Sequence, residues 1–167
     1  MTTVDFTLNG QPVTAPAGQS IFNIAKDLGI QIPHLCHKDG LTPDGNCRAC
    51  VVEIEGERTL APSCCRSATP GMKVQTHSER ALKSQKMVLE MLLADLPEQG
   101  YKWLDDRAEA PHGELSQWAE NHGVQVRPEL AELRREAVPA DLSHPAMAVN
   151  LDACIQCNRC ERACRDL

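Results

Sequence analysis

Four cysteines in the first half of the chain have the spacing of ligands for a small iron–sulfur cluster. They form the pattern C-x10-C-x2-C-x13-C: Cys36, Cys47, Cys50 and Cys64. Four thiolates from three separate loops suit a [2Fe–2S] cluster, because each of its two irons needs two sulfur ligands. One tight loop can supply the Cys47–Cys50 pair, and the preceding Gly45 and Asn46 allow positive φ angles. We also expect backbone N–H groups of this loop to point at the cluster sulfurs.

Structural zinc and disulfide bonds are the alternatives for these cysteines. Zinc sites usually use two C-x2-C pairs, and this stretch contains one. Disulfides fit an exported protein, but Met1–Gly10 has neither the basic region nor the long apolar run of a secretory signal. An unexported chain keeps its thiols reduced, so nine cysteines indicate metal binding in a cytoplasmic protein. Zinc remains open.

A second group of cysteines lies at the C-terminal end of the chain. It has the pattern C-x2-C-x2-C-x3-C: Cys154, Cys157, Cys160 and Cys164. Bacterial ferredoxins use this run to bind [4Fe–4S] clusters, with three thiolates on a short loop that leads into a helix. No second run of this kind is present. We therefore expect a part of a longer subunit, or ligands from a partner chain; alternatively, Cys164 turns back to complete a lone cluster.

The pattern of apolar residues predicts an α+β domain over residues 1–77. Alternation over Val4–Leu8 followed by Asn9-Gly10 predicts a β-hairpin, with its second strand at 12–15. Ser20 is expected to cap a helix that ends before Gly29. One face of this helix is apolar: Ile21, Ile24, Ala25 and Leu28. Further strands are predicted at residues 51–55, 58–61 and 72–76.

Residues 78–143 are predicted to form a helical linker, and residues 144–167 an incomplete [4Fe–4S] motif. Ser78 is expected to open a helix with leucines at helical spacing. Two short helices are predicted further on, one over 114–122 and one that begins at Pro128. Arg134 and Arg135 are expected to face solvent.

The order of hairpin, helix, cysteine loop and strands resembles the β-grasp fold of plant-type ferredoxins, whose first gap is shorter, C-x4-C. The longer gap resembles the N-terminal domain of three related proteins. These are the large iron–sulfur subunit of respiratory complex I, the diaphorase modules of NAD-reducing hydrogenases, and the NAD-dependent molybdenum or tungsten formate dehydrogenases. The likeness lies in residues 32–36, 45–56 and 62–72. Glu53-Ile54-Glu55-Gly56 and Pro70-Gly71-Met72 look most like the formate dehydrogenase α subunits.

The resemblance implies a role for each cysteine. It matches Cys36, Cys47, Cys50 and Cys64 to the [2Fe–2S] ligands, and leaves Cys65 as a spectator with a small buried side chain. It assigns Cys154, Cys157 and Cys160 to one [4Fe–4S] cluster, and Cys164 to a neighbouring cluster. A further site in these families uses one histidine and three cysteines. No cysteine lies between Cys65 and Cys154, so we expect this site to be absent and His112 and His122 to be surface residues.

Composition and motifs indicate an electron carrier. A net charge of −6 argues against nucleic acid as a partner, and no apolar run is long enough to span a membrane. The sequence shows no phosphate-binding glycine loop or catalytic constellation, so we expect no catalytic site of its own. The resemblance implies the N-terminal part of a formate dehydrogenase α subunit, which links a metal-pterin catalytic region to a flavin- and NAD-binding iron–sulfur partner. The alternatives are a standalone ferredoxin-like carrier, a small diaphorase or hydrogenase iron–sulfur subunit, and a zinc-stabilised interaction module.

Overall fold

The hairpin predicted at the N-terminus is present in the computed structural model, which describes residues 2–96 and 113–167. Strands β1 (Thr3–Leu8) and β2 (Gln11–Pro16) pair antiparallel. Asn9 and Gly10 connect them with φ angles of 52° and 81°. A two-residue turn with both angles positive matches the twist of the flanking strands, which is why Asn-Gly is common there.

A mixed five-stranded sheet is built on this hairpin in the order β2-β1-β5-β3-β4. The other strands are β3 (Val51–Ile54), β4 (Ala61–Pro62) and β5 (Lys73–Gln75). The β1–β5 pair is parallel and the other pairs are antiparallel. The sheet and its helices confirm the α+β class. The strand predicted at 58–61 is displaced, since β4 begins where that prediction ends.

Helix α1 (Ile21–Asp27) begins at Ser20, as predicted. The Ser20 hydroxyl accepts a hydrogen bond of 3.2 Å from the backbone N–H of Asn23, which satisfies one free donor of the first turn. The predicted apolar face is buried except for Leu28, which is 53% exposed. Leu28 is the C-cap residue, so its side chain no longer follows the helical face. Phe22 is buried instead and joins the core that connects α1 with the sheet.

The described chain divides into two compact units. One contains the residues up to Gln85 together with Asn158–Leu167, and the other is Lys86–Cys157. Helix α2 (Glu79–Ala94) runs from the first into the second, and the Ser78 hydroxyl caps it by accepting from the N–H of Ala81 at 3.1 Å. Helix α5 (Arg159–Asp166) belongs to the first unit.

The second unit confirms both predicted short helices, α3 (Glu114–Asn121) and α4 (Pro128–Ala131). It also contains an unpredicted hairpin of β6 (Asp141–His144) and β7 (Met147–Val149), whose residues are all exposed. Because no face of this hairpin is buried, its sequence lacks the apolar alternation that marks a strand. His122 is half-buried, with its ring Nδ1 3.0 Å from the carbonyl oxygen of Trp118. His112 lies outside the described residues.

A helix that spans a membrane must be long and strongly apolar. Over residues 2–96 and 113–167, none of the helices combines the length and the hydropathy to cross a bilayer.

Asn9 connects the hairpin turn to the end of β5. Its side-chain amide donates to the Thr76 hydroxyl, and its carbonyl oxygen accepts from the Thr76 backbone N–H, both at 2.8 Å. Thr76 is buried, so these hydrogen bonds are sheltered from water.

We expect Asn9→Ala to lower the free energy of unfolding by about 1–3 kcal/mol, measured by equilibrium denaturation with urea. The substitution removes both hydrogen bonds and replaces asparagine, which tolerates positive φ through its short polar side chain, with alanine, which does not. Asn9→Gly is the matched control, since it also loses the bonds but accepts the φ angle, so it should be the less damaging change. Stability of Asn9→Ala equal to that of the original protein would contradict this role.

Glu90 of α2 and Arg127, the residue before α4, form an ion pair within the second unit. The guanidinium Nε donates to Glu90 Oε1 at 2.7 Å and a terminal nitrogen donates to Oε2 at 3.1 Å. The backbone N–H of Arg127 donates to Oε1 at 3.0 Å. These hydrogen bonds from Arg127 hold the pKa of Glu90 below its ordinary value.

We expect Glu90→Gln to lower the melting temperature by an amount that is constant between about pH 8 and about pH 5. A lowered folded-state pKa gives stabilisation that is complete above the unfolded value of about 4.3, and is lost as the pH falls through the folded pKa. Thermal melts across this range test the expectation, with the exposed Glu136→Gln as control. The expectation would be contradicted if the difference in melting temperature between Glu90→Gln and the original protein disappeared between about pH 8 and about pH 5.

Candidate metal centre

Two loops carry the four N-terminal cysteines, not the three that were predicted, because no helix or strand separates Cys36 from Cys47. The connection from α1 to β3 contains Cys36, Cys47 and Cys50, and Cys64 follows β4. The β3–β4 pair sets the two loops side by side. Ser63 reinforces this contact, because its backbone N–H and hydroxyl both donate to the carbonyl oxygen of Cys50, at 3.1 and 2.7 Å.

The first turn of α1 holds the Cys64 loop. The backbone N–H of Ile21 donates to the carbonyl oxygen of Arg66 at 2.8 Å, and that of Phe22 donates to the carbonyl oxygen of Ser63 at 3.0 Å. The first N–H groups of a helix have no partner within it, so a loop that supplies carbonyl oxygens is fixed to the helix end. The α1 N-terminus thereby positions Cys64.

The structure brings the four predicted sulfur donors together. Cys36 is in hydrogen-bond contact with the thiols of Cys47 and Cys64, and Cys64 is also in contact with Cys50. The backbone N–H of Cys36 donates to the sulfur of Cys47 at 3.4 Å. Cys47 is half-buried, and the other three are buried. The thiols therefore form one connected group that is largely withdrawn from solvent.

The pKa values of these thiols move in opposite directions because neighbouring sulfurs share protons. A hydrogen bond from Cys47 lowers the pKa of Cys36 and raises that of Cys47. The Cys64 thiol lowers the pKa of Cys50 to about 7, and its contacts with Cys36 and Cys50 raise its own pKa. Four thiolates at this spacing would repel one another, so protons must remain between them unless a cation replaces these protons. Iron bound to the thiolates replaces these protons. The four cysteines therefore fit an iron–sulfur cluster.

Backbone N–H groups also point at the sulfurs, as expected. Those of Cys47 and Asn46 help to lower the pKa of Cys36, and that of Ala49 acts on Cys47 in the same direction. The positive φ angles of this loop fall on Gly45 (64°) and Arg48 (60°), so the prediction for Asn46 is wrong. Such a turn lets successive N–H groups converge on an anion.

A side chain at Gly45 would also make Cys65 shift. A β-carbon there would lie 2.9 Å from the sulfur of Cys65, which is closer than van der Waals contact allows. Cys65 itself is exposed, which corrects the expectation that it is a buried spectator. Its sulfur lies 3.6 Å from that of Cys64. The reason is its position in the turn after β4, where Cys64 points inward and the next side chain points out.

The sulfur group does not converge on a single point. Among the described residues, no set of three or more His, Cys, Asp or Glu side chains is placed to hold one metal ion. The contacts instead form a chain from Cys47 through Cys36 and Cys64 to Cys50. Because a [2Fe–2S] cluster has two irons with two thiolates each, its donors need not surround one centre.

Three rings pack next to Cys36. The Phe22 ring lies 4.7 Å from that of His34 and 4.6 Å from that of His37, both in edge contact. His37 is buried, and burial lowers its pKa. The contacts attach the Cys36 loop to α1. Sequence reasoning missed this group, although His34 and His37 flank Cys36 closely in the chain.

The C-terminal cysteines lie on both sides of the division between the units. Cys154 and Cys157 belong to the second unit, and Cys160 and Cys164 lie on α5. Cys157 is half-buried and the others are exposed. Arg135 donates to the carbonyl oxygens of Leu151, Asp152 and Cys154, at 3.3, 2.6 and 3.3 Å. The expectation that Arg135 faces solvent is therefore wrong, since these carbonyl groups turn toward it and half-bury it.

Left-handed backbone marks each C-x2-C step. Four non-glycine residues in the described ranges have positive φ, and three of them lie between such cysteines: Arg48, Gln156 and Asn158. This conformation costs about 1 kcal/mol or more for a residue with a side chain, and it concentrates at functional sites. Both cysteine motifs thus have strained loops suited to ligation.

Arg162 is the residue next to the Cys36 loop that sequence reasoning missed most completely. Its side chain is 1% exposed, and it donates to the backbone carbonyl oxygens of Cys36 and Thr42. The only signal in the sequence is that Arg159, Arg162 and Asp166 share one face of α5. Nothing in the sequence indicates that this face is covered.

The chain is similar to known proteins over nearly its whole length. Residues 1–79 match the family of 2Fe-2S iron-sulfur cluster binding domains. Over 98% of its length, the chain is 36% identical to the NADP-reducing hydrogenase subunit HndD of Solidesulfovibrio fructosivorans. It is 33% identical, again over 98%, to the mitochondrial NADH-ubiquinone oxidoreductase 78 kDa subunit of Candida albicans. Residues 1–79 therefore resemble a [2Fe–2S] cluster binding domain, and the chain is homologous to these subunits over 98% of its own length.

A solved structure supports the same relationship. In the NAD⁺-reducing [NiFe]-hydrogenase in its H₂-reduced state, a chain matches with a TM-score of 0.77 and 29% identity, over 96% of this chain and 65% of that chain. The chain spans 28% of the length of the HndD relative and 22% of the 78 kDa relative.

Proposed function

We propose that Cys36, Cys47, Cys50 and Cys64 hold a [2Fe–2S] cluster, and that the chain passes electrons within a larger NAD- or NADP-linked oxidoreductase. The connected group of four sulfurs carries this proposal. When bound, the cluster supplies reversible one-electron chemistry. The chain contributes thiolates, N–H groups that stabilise negative charge on sulfur, and walls that limit access of water.

The C-terminal cysteines extend this path. Cys154, Cys157 and Cys160 bind a [4Fe–4S] cluster, and Cys164 is a ligand of a neighbouring one. The spacing and the strained positions at Gln156 and Asn158 support this assignment. The remaining ligands come from residues of the whole subunit or from a partner chain.

The parent enzyme is a hydrogenase or a complex I-type oxidoreductase, with a flavin- and NAD-binding iron–sulfur subunit as electron partner. The identity to the hydrogenase subunit and to the 78 kDa subunit supports this choice. The formate dehydrogenase prediction, with its molybdenum or tungsten pterin, rests on the stretches 53–56 and 70–72 alone. It remains the second candidate.

Anaerobic purification followed by iron and sulfide analysis tests the cluster assignment. We expect a brown protein with acid-labile sulfide and, after reduction, an electron paramagnetic resonance (EPR) signal of a [2Fe–2S] cluster. Zinc without sulfide would instead establish the zinc-stabilised module. A folded, colourless protein without iron would refute the proposal.

The parent enzyme can be identified by purifying the complex that contains the chain from its source and adding one reductant at a time. We expect NADH or hydrogen to reduce the cluster and so to produce the [2Fe–2S] EPR signal. Reduction by formate alone would favour the formate dehydrogenase candidate and contradict the first choice.

A further inference from the structure

Helix α5 presents a charged face to the Cys36 loop. The Arg162 guanidinium donates to the carbonyl oxygen of Thr42 at 2.8 Å, and its other terminal nitrogen donates to the carbonyl oxygen of Cys36. One buried side chain therefore holds both ends of the segment 36–42.

Two neighbours on the same face strengthen this contact. Arg159 donates to the carbonyl oxygen of His37 at 2.8 Å, and Asp166 accepts from the backbone N–H of Thr42 at 2.8 Å. Arg159, Arg162 and Asp166 lie at positions i, i+3 and i+7, which a helix places on one side. All of these contacts lie within the first unit.

The chemistry of arginine suits this position. Its guanidinium stays charged at every relevant pH and offers several donors in a fixed plane, so it can hold two carbonyl groups at once. Hydrogen bonds from a charged donor are roughly twice as strong as neutral ones. A buried positive charge bonded to the Cys36 peptide also favours additional negative charge on the Cys36 thiolate and on whatever it ligates.

The opposite side of α5 carries Cys160 and Cys164. These residues lie four positions apart and are exposed, so they share a face turned away from the Cys36 loop. One helix therefore carries the proposed [4Fe–4S] ligands on one side and contacts a [2Fe–2S] ligand on the other.

We propose that Arg162 is a positioning residue of the [2Fe–2S] site, which fixes the Cys36 ligand through α5 and raises the reduction potential of the cluster. The inference rests on the proposed function, since it requires Cys36 to be a ligand. It also connects the two cysteine motifs, because the helix that carries Cys160 and Cys164 contacts Cys36 through Arg162.

Three variants of the whole chain, purified without oxygen, test this inference. Arg162→Met removes the charge and the donors, and Arg162→Lys keeps the charge but loses the fixed pair of donors. Glu161→Gln is the matched control, because Glu161 lies on the same helix, is exposed and lies off the face that contacts the Cys36 loop. The readouts are hydrogen–deuterium exchange of residues 36–46, the EPR line shape and the midpoint potential.

We expect amide exchange over 36–46 to become about tenfold faster in Arg162→Met, which corresponds to the loss of one charge-assisted hydrogen bond. The potential should fall and the EPR lines should broaden. Arg162→Lys should show faster exchange with a potential close to the original. Glu161→Gln should leave all three readouts unchanged.

The possible failures are distinguishable. Absence of a [2Fe–2S] signal from the original protein would refute the proposed function, and this inference with it. A normal signal with Arg162→Met indistinguishable from Glu161→Gln would refute the inference alone. If Arg162→Met does not fold, Arg162→Lys decides: faster exchange over 36–46 supports the role of Arg162, and unchanged exchange overturns it.

Discussion

A Cys64→Ser variant is expected to lose the [2Fe–2S] cluster, whereas Cys65→Ser is expected to keep it. Cys64 is buried and its sulfur is in contact with those of Cys36 and Cys50. Cys65 is exposed, and its sulfur reaches this group only through the 3.6 Å contact with Cys64. Since serine offers a harder, less readily ionised oxygen, it is a poor ligand for a cluster that prefers thiolates.

Iron and sulfide content and the EPR amplitude measure this effect. We expect cluster content to fall at least about tenfold in Cys64→Ser, since even the loss of an outer partner of a metal ligand costs that much. The proximity of Cys65 requires a control, because its thiol is the nearest replacement for the missing ligand. The double variant Cys64→Ser/Cys65→Ser removes that replacement. Cluster loss in Cys65→Ser with retention in Cys64→Ser would transfer the ligand role to Cys65.

Local sequence was sufficient for the features that depend on a few neighbouring residues. Short stretches of sequence were enough to predict three of them: the turn at Asn9-Gly10, the Ser20 cap and the grouping of the four N-terminal cysteines. The Cys47–Cys50 loop was only partly predictable. It needs a left-handed residue between the cysteines, and Arg48 takes that conformation although arginine has no intrinsic preference for it.

Long-range contacts were not predictable in the same way. Arg162 is separated from Cys36 by 126 positions, and an arginine next to a glutamate in a helix normally indicates a solvent-exposed face. The sequence shows that the C-x10-C gap is unusually long, but it does not show that a distant helix contacts the residues within this gap. The additional residues of that gap, such as His37 and Thr42, are those that α5 contacts. The long first gap therefore supplies the segment that α5 contacts.

The environment of Cys36 leads to the second large expected effect, which concerns Phe22. The ring is 4% exposed and packs against both His34 and His37. We expect Phe22→Ala to lower the free energy of unfolding by about 3–5 kcal/mol, because it leaves a cavity between α1 and the Cys36 loop. Urea denaturation under anaerobic conditions measures the loss.

Phe6 is the matched control, since it is the other phenylalanine of the chain, is also 4% exposed and belongs to the same core. It lies on β1, so Phe6→Ala should cost a similar free energy without loosening the cysteine loop. Only Phe22→Ala should also shorten the lifetime of the cluster in the presence of a chelator, because only there does the cavity adjoin a ligand segment. Equal lifetimes in the two variants would show that overall stability governs cluster retention, and that the Phe22 ring contributes nothing specific to the site.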